Sequence, residues 1–312
     1  MQAFIKAIEI WAPDEDKLEL KLIKGNYGDL KHFEEISLNA KFKYGEGLPG
    51  KAWSERRPMV LDELEDSFFK RVDAAKEAGI TAAIALPIFA GDFLKSVVVF
   101  LCGSGEESLG AVEVWHCDEK TSSDLALMEG YFGRLNRFEF VAKNTKFRKG
   151  VGLPGKIWES NMPTVVEDLG SSHRFLRKDV AEEAGVTTGF GLPISGREGE
   201  FNMLLFLSAK GSPIARQFEI WLPSKIQGEL VFGSGYSEKG INLNESYKET
   251  ILISGEGVIG RVYLTGVPTI VEDLTQIKSK RAERLIESGL TSSVVFPLME
   301  AGKCKCVIAM YS

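Results

Sequence analysis

The sequence predicts an α+β fold of three tandem domains, each a mainly antiparallel sheet with short helices on one face. One nine-residue segment occurs three times, and each copy begins 105 residues after the previous one. That period is too long for a solenoid repeat and matches a whole small domain. Each repeat also begins and ends with two apolar runs that are joined by turn residues, which is typical of hairpins.

The repeated segment is rich in glycine and ends on an aromatic residue. Its copies are Gly45–Trp53, Gly150–Trp158 and Gly255–Tyr263. Other landmarks keep the same spacing. A proline follows each aromatic by five residues, and each repeat opens on Glu-x-Trp: the prolines are Pro58, Pro163 and Pro268, and the openings are Glu9/Trp11, Glu113/Trp115 and Glu219/Trp221. The landmarks predict domains at 1–105, 106–212 and 213–312, with linkers at 103–110 and 210–215.

The elements of the first repeat are predicted from its apolar runs and from the proline and glycine residues that separate them. Residues 4–11 and 18–23 form two strands around the turn at Pro13. Residues 48–54 form a short helix with Pro49 in its first turn, and a short strand follows. A second helix ends before Gly79, a C-terminal cap signal. The remaining segments are strands at 59–61, 80–89 and 94–102 and a helix at 68–78, which gives the order β-β-α-β-α-β-β.

Composition excludes several functional classes. The formal net charge is −6, which disfavours a nucleic-acid surface. No apolar run is long enough to span a membrane, and no secretory signal is recognisable, so a cytoplasmic location is expected. Four cysteines and three histidines show no zinc spacing and no catalytic grouping, so we predict no metal, no cofactor and no enzyme activity.

Together these motifs resemble the GAF domain family. Members carry G-x-G-L-P-G-x-x-W, a proline before a short strand ending in Asp-Leu, a helix ending Ala-Gly, and a strand with Leu-Pro. The second repeat fits best, with Asp168-Leu169, Ala184-Gly185 and Leu192-Pro193; the third departs at Val258-Ile259 and Tyr263. The resemblance implies GAF-like (PAS-like) domains that bind a small molecule or a signalling partner. The long terminal helices of the family are missing here.

The resemblance also implies a ligand cavity in each repeat, between the sheet and the segment joining the third and fourth strands. The residues placed there are Trp53, Phe69 and Arg71 in the first repeat, Trp158, Asp168, Phe175, Arg177 and Thr188 in the second, and Tyr263 and Arg281 in the third. Because Thr188-Gly189-Phe190-Gly191 supplies small residues, we predict the roomiest cavity in the second repeat.

Each of these residues also has a structural interpretation. The aromatic residues could anchor the short helix to the sheet. Asp168 and its counterparts Glu63 and Asp273 could cap the next helix or bond loop amides. The basic residues where the pocket-facing helix begins could pair with an anionic ligand or form a solvated helical face; they are Lys70, Arg71, Arg174, Arg177, Lys280 and Arg281.

The favoured function is therefore a non-catalytic sensor or adaptor that binds an unidentified small molecule, a protein partner, or both. The alternatives are an enzyme on a GAF scaffold, similar to free methionine sulfoxide reductase, and an assembly module with collapsed pockets. The strands are apolar on both faces, so the back of each sheet must be buried by a neighbouring repeat or by a second chain. The Glu-x-Trp pairs could lie on that back or in the domain core. If sheets stack in twos, three sheets favour a homodimer.

Overall fold

The computed structural model describes residues 4–103, 109–173, 175–209 and 211–312. The first repeat contains β1 Ile5–Pro13, β2 Glu19–Asn26, α1 Lys31–Asn39, β3 Lys41–Lys43, α2 Gly47–Glu55, β4 Met59–Leu61, α3 Val72–Glu77, β5 Ala82–Ala90 and β6 Phe93–Cys102. The second contains β7 Gly110–Asp118, β8 Asp124–Tyr131, α4 Asn136–Lys143, β9 Lys146–Arg148, α5 Gly152–Ser160, β10 Thr164–Val166, α6 Lys178–Glu183, β11 Val186–Ser195 and β12 Glu200–Ala209. The third contains β13 Gln217–Pro223, β14 Glu229–Ser237, α7 Leu243–Ser246, β15 Ile251–Ile253, α8 Gly257–Thr265, β16 Thr269–Val271, a 3-10 helix Leu274–Gln276, α9 Lys280–Glu287, β17 Ser293–Glu300 and β18 Lys303–Tyr311.

Each repeat forms one six-stranded antiparallel sheet, which confirms the predicted α+β class. The strand order in the first is β3-β2-β1-β6-β5-β4, and the other two repeats follow the same plan. The first and last strands of each repeat are therefore neighbours at the centre of its sheet. The three sheets fall within the predicted ranges 1–105, 106–212 and 213–312. The two predicted linkers lie partly outside the described residues, so the limits themselves stay a prediction.

The sequence analysis did not predict two elements of each repeat, and it predicted one helix of the first repeat to be longer than it is. α1 and β3 occupy the stretch between the second strand and the glycine-rich segment, where no element was predicted. The helix expected at 68–78 is shorter, at Val72–Glu77. The predicted order β-β-α-β-α-β-β therefore becomes β-β-α-β-α-β-α-β-β.

The two faces of each sheet pack into different cores. In β6, Val97 and Val99 pack with the helices of the first repeat, whereas Val98 and Phe100 face a second core. Successive side chains of a strand point to opposite faces, so a doubly buried strand is apolar throughout. This explains the continuous apolar runs of the sequence.

The second core is shared by all three repeats. Phe100 of β6 packs edge-on against Phe206 of β12, with ring centroids 5.5 Å apart. Phe190 of β11 in turn lies 4.5 Å from Phe218 of β13. The sheet backs are thus buried by neighbouring repeats, as predicted. The expectation that sheets stack in twos is wrong, because three backs converge on one cluster.

The three repeats also meet along their edges and close a ring. β4 packs against β8 of the second repeat, β10 against β14 of the third, and β16 against β2 of the first. We call each of these three edge contacts a seam. At the seam between the first and second repeats, Glu129 accepts a hydrogen bond from the backbone amide of Val60 at 2.7 Å and pairs with Arg57 at 2.7 Å. Each seam therefore joins the short edge strand of one repeat to the second strand of the next.

Candidate functional site

The Glu-x-Trp pair of each repeat points into the core of its own domain. Glu9, Glu113 and Glu219 are fully buried. Each carboxylate accepts a hydrogen bond from the indole Nε1 of the tryptophan two residues later, at 2.9, 2.8 and 2.8 Å. Residues two apart on a strand share a face, so the motif supplies an acceptor beside its donor. The hypothesis that places these pairs on the sheet back is wrong, and the core alternative is confirmed.

An arginine from the start of the third helix of the repeat pairs with each buried glutamate. Arg177 donates from both terminal nitrogens to the two oxygens of Glu113, at 2.6 and 2.7 Å. Arg71 makes the same two-pronged contact with Glu9. Arg281 pairs with Glu219 through Nη2. Such bidentate pairs are strong and strictly oriented because guanidinium and carboxylate planes match.

The remaining hydrogen bonds of the glutamates differ between repeats. The Tyr27 hydroxyl donates to Glu9 at 2.9 Å, and the Tyr247 hydroxyl donates to Glu219 at 2.8 Å. Burial, and next the nearby glutamate, raise the pKa of both tyrosines, so both remain neutral donors. In the second repeat Phe132 stands at the position of Tyr27, and Glu113 bonds to Trp115 and Arg177.

The balance of burial and charge at Glu9 favours the ionised carboxylate. Burial alone would raise its pKa, because a charge is costly in an apolar core. The Arg71 guanidinium, with the hydrogen bonds from Trp11 and Tyr27, outweighs this effect and holds the pKa of Glu9 below its usual value. Each pair is therefore a buried salt bridge whose polar contacts run to residues of its own repeat.

Aromatic rings surround each guanidinium group. Each group lies within 6 Å of at least three ring centroids, the range of a cation–π contact. The rings belong to Trp11, Phe33, Phe42 and Phe69 around Arg71, to Trp115, Phe138 and Phe175 around Arg177, and to Trp221, Tyr247 and Tyr311 around Arg281. The predicted ligand residues Phe69, Phe175 and the three arginines thus form one cluster per repeat.

These clusters contain residues that the resemblance places around a ligand cavity, among them the three arginines, Phe69 and Phe175. Arg71 and Arg177 are only 5% and 4% exposed, so the interpretation as a solvated helical face is wrong for these two arginines, whereas Lys70 and Lys280 are exposed. Arg281 is more open, with a side chain that is 21% exposed. Neither sequence interpretation included pairing with the Glu-x-Trp glutamate. A signal was present, because each arginine follows its glutamate by 62 or 64 residues in every repeat.

The small residues of β11 do not create an empty cavity beside the sheet of the second repeat. A Cβ atom on Gly191 would lie 2.3 Å from Cδ1 of Ile157, and one on Gly189 would contact Leu153. The helix α5 therefore fills the space that the glycines vacate. Thr188 shares a face with Phe190, which lies in the central core, so it points away from the Arg177 cluster. The structure does not support a roomier cavity here.

The aromatic residue of the glycine-rich segment lies apart from the ion pair. Trp158 stacks on Phe201, with centroids 5.8 Å apart, and donates from Nε1 to Glu119 at 2.8 Å. Trp53 and Tyr263 are half-buried against the cores of their own repeats. All three lie within the short helix of their repeat, α2, α5 or α8, and pack it against the rest of the domain.

The acidic residues at the end of the short strand make local contacts. Asp273 accepts a hydrogen bond from the backbone amide of Thr275 at 2.9 Å and so caps the 3-10 helix. Asp168 has a left-handed φ of 50° and accepts a hydrogen bond from the Ser171 hydroxyl. The Asp273 contact matches the capping interpretation, whereas among the described residues the Asp168 side chain bonds to a hydroxyl and not to a helix or loop amide. Arg174 lies outside the described residues.

The outer surface of the second repeat differs from that of the other two. In the first repeat a groove of about 560 Å³ is lined by Glu35, Glu46 and Lys70, and it reaches Phe42 and Arg71 of the arginine cluster. Lys70 pairs with Glu46 at 2.6 Å across this groove. The third repeat carries Glu245, Glu256 and Lys280 at the matching positions. The second repeat carries three exposed apolar residues there, which we call the apolar face: Phe140, Val151 and Leu176, exposed by 68%, 46% and 56%.

No family model and no curated protein matches the sequence. Solved structures that are similar to it include the nlh2 GAF domain from A. aeolicus at 19% identity and a TM-score of 0.26. They also include the GAF domain of a phosphoenolpyruvate-protein phosphotransferase from Coxiella burnetii, at 18% and 0.27, and free methionine-R-sulfoxide reductase from Neisseria meningitidis, at 15% and 0.25.

Each match covers 31–32% of this chain, about the length of one repeat, and 52–58% of the other protein. These similar structures are GAF domains and a reductase, and the three similar six-stranded sheets of this chain are consistent with three tandem GAF-like repeats. Within the parts of the chain that the structure describes, no helix is long and apolar enough to cross a membrane.

Proposed function

We propose that this chain is a non-catalytic adaptor whose three GAF-like cavities are filled by its own side chains and which acts through its outer surface. The buried glutamate–arginine pair carries this proposal. In each repeat the guanidinium lies among aromatic rings and bonds to a carboxylate, where a sensor domain would hold a ligand. Displacing it would leave an uncompensated buried glutamate, which costs several kcal/mol, about 3–5.

The state of the cysteines favours a non-catalytic role over a reductase-like enzyme. A catalytic cysteine reacts as its thiolate, in an electropositive and accessible place. Burial raises the pKa of Cys304 to about 12 and raises the pKa of Cys102, Cys117 and Cys306. Protonated thiols in apolar strands are poor nucleophiles. His173, a single histidine at its repeat position, lies exposed on a turn beyond β10.

The partner that we propose for the apolar face is a second copy of this chain. Phe140, Val151 and Leu176 are exposed in the second repeat, whereas the first and third repeats carry charged residues at the same positions. One such face per chain produces a closed two-fold dimer, because the same patch meets itself across the axis. Aromatic and aliphatic residues are typical of the centre of such contacts, and polar residues such as Arg137 and Lys143, which lie one turn from Phe140 on α4, are typical of the rim.

Chemical rescue tests the filled cavity. We expect Arg177→Ala to lower the melting temperature, because it leaves Glu113 buried and unpaired. Millimolar methylguanidinium should then raise the melting temperature of the variant and leave that of the wild type unchanged. Arg137→Ala is the control, since Arg137 pairs with Glu183 on the surface, with side chains 72% and 52% exposed. An Arg177→Ala protein as stable as the wild type would contradict the proposal.

Sedimentation equilibrium at micromolar concentration tests the dimer. We expect the wild type to have the mass of two chains. The variant Phe140→Glu/Val151→Glu/Leu176→Lys copies the residues of the first repeat and should be monomeric and folded, with a melting temperature that does not depend on protein concentration. The control is Leu264→Lys, which also replaces an exposed leucine by lysine but lies on α8 of the third repeat, where the side chain is 66% exposed. It should leave the dimer intact. A wild-type monomer would rule out the second copy as the partner.

A further inference from the structure

The three seams of the ring are not equivalent. Ile8, Val112 and Phe218 occupy the same register of the first strand, and opposite them on the second strand lie Asn26, Tyr131 and Tyr236. The second and third repeats therefore place a tyrosine where the first repeat has an asparagine. Asn26 faces the seam at which the third repeat closes onto the first.

At the seam between the first and second repeats, the tyrosine fills the space between the sheets. Tyr131 is 6% exposed and packs against Phe4, with ring centroids 5.7 Å apart. Its hydroxyl lies 3.3 Å from Oγ1 of Thr81. The rings of Tyr131 and Phe4 and the contact between the hydroxyls of Tyr131 and Thr81 thus fill the space between the two sheets.

At the seam between the second and third repeats, aromatic packing again completes the contact. Phe190 lies 4.5 Å from Phe218, and Tyr236 packs against the same core. The residues that correspond to Phe190 and Phe218 at the closing seam are smaller. They are Val294 and Ile8, so this seam lacks three rings that its neighbour has.

A cavity of about 320 Å³ lies at the closing seam. Its lining comes from the first repeat, the third repeat and the segment before β13, and it includes Ile8, Asn26, Ser212, Ile270, Val294 and Met310. This volume is at the lower end of the range for small-molecule sites, about 300–1,000 Å³, and such sites favour domain interfaces. The cavity lies on the sheet backs, away from the three arginine clusters.

The lining selects an uncharged ligand. Lys6 and Arg216 border the cavity, but Lys6 donates to the carbonyl of Ala78 at 3.2 Å and Arg216 to that of Gly289 at 2.7 Å. The other polar side chains of the lining are uncharged. Ser212 is 4% exposed and its hydroxyl has no hydrogen-bond partner among the residues that the structure describes, and the hydroxyls of Ser292 and Ser312 lie 2.6 Å apart.

We infer that the closing seam binds a small uncharged phenol that carries a short apolar substituent. The phenol ring takes the place that Tyr131 takes in the neighbouring seam, its hydroxyl meets the hydroxyls of Ser292 and Ser312, and the substituent lies against the aliphatic wall. Such a molecule contacts two repeats that are distant in sequence. It therefore binds the closed ring and stabilises it by mass action. This site is independent of the adaptor role proposed above.

Titration calorimetry with 4-butylphenol tests the site. We expect one molecule bound per chain. Asn26→Tyr copies the second repeat at this position and Val294→Phe copies Phe190, and each should weaken binding at least tenfold by filling the cavity. Asn244→Tyr, an equal change on the exposed surface of α7, should leave the affinity within twofold. Butylbenzene and 4-butylbenzoate should both bind more weakly than the phenol.

A measurement on the wild type does not depend on how the variants fold. In a protein with labelled methionine methyl groups, 4-butylphenol should shift the Met310 signal, assigned with Met310→Leu. The signal of Met59, which lies in the separate core of the first repeat, should stay in place. Absence of saturable binding, or wild-type affinity in both cavity-filling variants, or shifts confined to other methionines, would overturn the proposal.

Discussion

At the scale of the residue, the sequence showed which positions recur but not which of them meet. The glutamate and tryptophan of each Glu-x-Trp were recognisable as a pair because they are two residues apart on one strand. The arginine was recognised separately, as a ligand contact. Its pairing with Glu9 or Glu113 depends on tertiary packing across more than 60 residues. Local sequence pattern carries no such information, although recurrence of both charges in every repeat is a usable signal.

The lowered pKa of Glu9 predicts how acid acts on the fold. A carboxyl group whose pKa is depressed by folding adds stability above its unfolded pKa, about 4.3, and this contribution is lost as the pH falls through the folded pKa. Glu9→Gln should therefore be less stable than the wild type at pH 6, and the difference should shrink below about pH 4. Urea unfolding at several pH values measures this.

The matched control for Glu9→Gln is Glu183→Gln, which alters a carboxyl group that is 52% exposed. It should leave the free energy of unfolding nearly unchanged at every pH, because surface pairs contribute little, about 0–1 kcal/mol. A Glu9→Gln deficit that persisted undiminished to pH 3 would mean that the carboxylate is not stabilised by folding.

At the scale of the element, the prediction succeeded where the apolar pattern was continuous. The four long strands of the first repeat were placed within a few residues. α1 and β3 were missed because the segment has few apolar residues: α1 buries only Phe33 and Ser37, and β3 has three residues. Elements held mainly by contacts with the rest of the domain leave a weak periodic signal.

The last glycine of the repeated segment is required by a close backbone contact. A Cβ on Gly50, Gly155 or Gly260 would lie 2.1, 2.1 or 2.0 Å from the carbonyl oxygen of the short strand before the helix. Gly155→Ala should therefore destabilise the protein by about 1–3 kcal/mol in urea unfolding, because backbone must move. Gly189→Ala, whose Cβ would meet side chains at 3.4 Å, should cost less. Equal losses would show that backbone crowding is not the cause.

At the scale of the whole molecule, the repeat was evident from the sequence, and so was the need to cover each sheet back. The convergence of the three sheet backs on one core was not evident, because apolar strands indicate that a face is buried without indicating what buries it. Convergence of three backs on one core also removes the reason for which a dimer was first expected. The dimer proposed above depends instead on the exposed Phe140, Val151 and Leu176.

A shared core predicts that the three repeats unfold together. Calorimetry of the full chain should show one transition, because loss of any repeat exposes the central faces of the other two. The fragment 213–312 should be unable to fold alone, since Phe218, Phe296 and Ile308 would face water.

A circular permutant that starts at residue 106 and joins Ser312 to the first strand should fold like the wild type, because Ile5 and Ser312 border the same cavity. Three separate transitions, or a stable isolated repeat, would show instead that each domain is held by its own core and that the ring is a loose association.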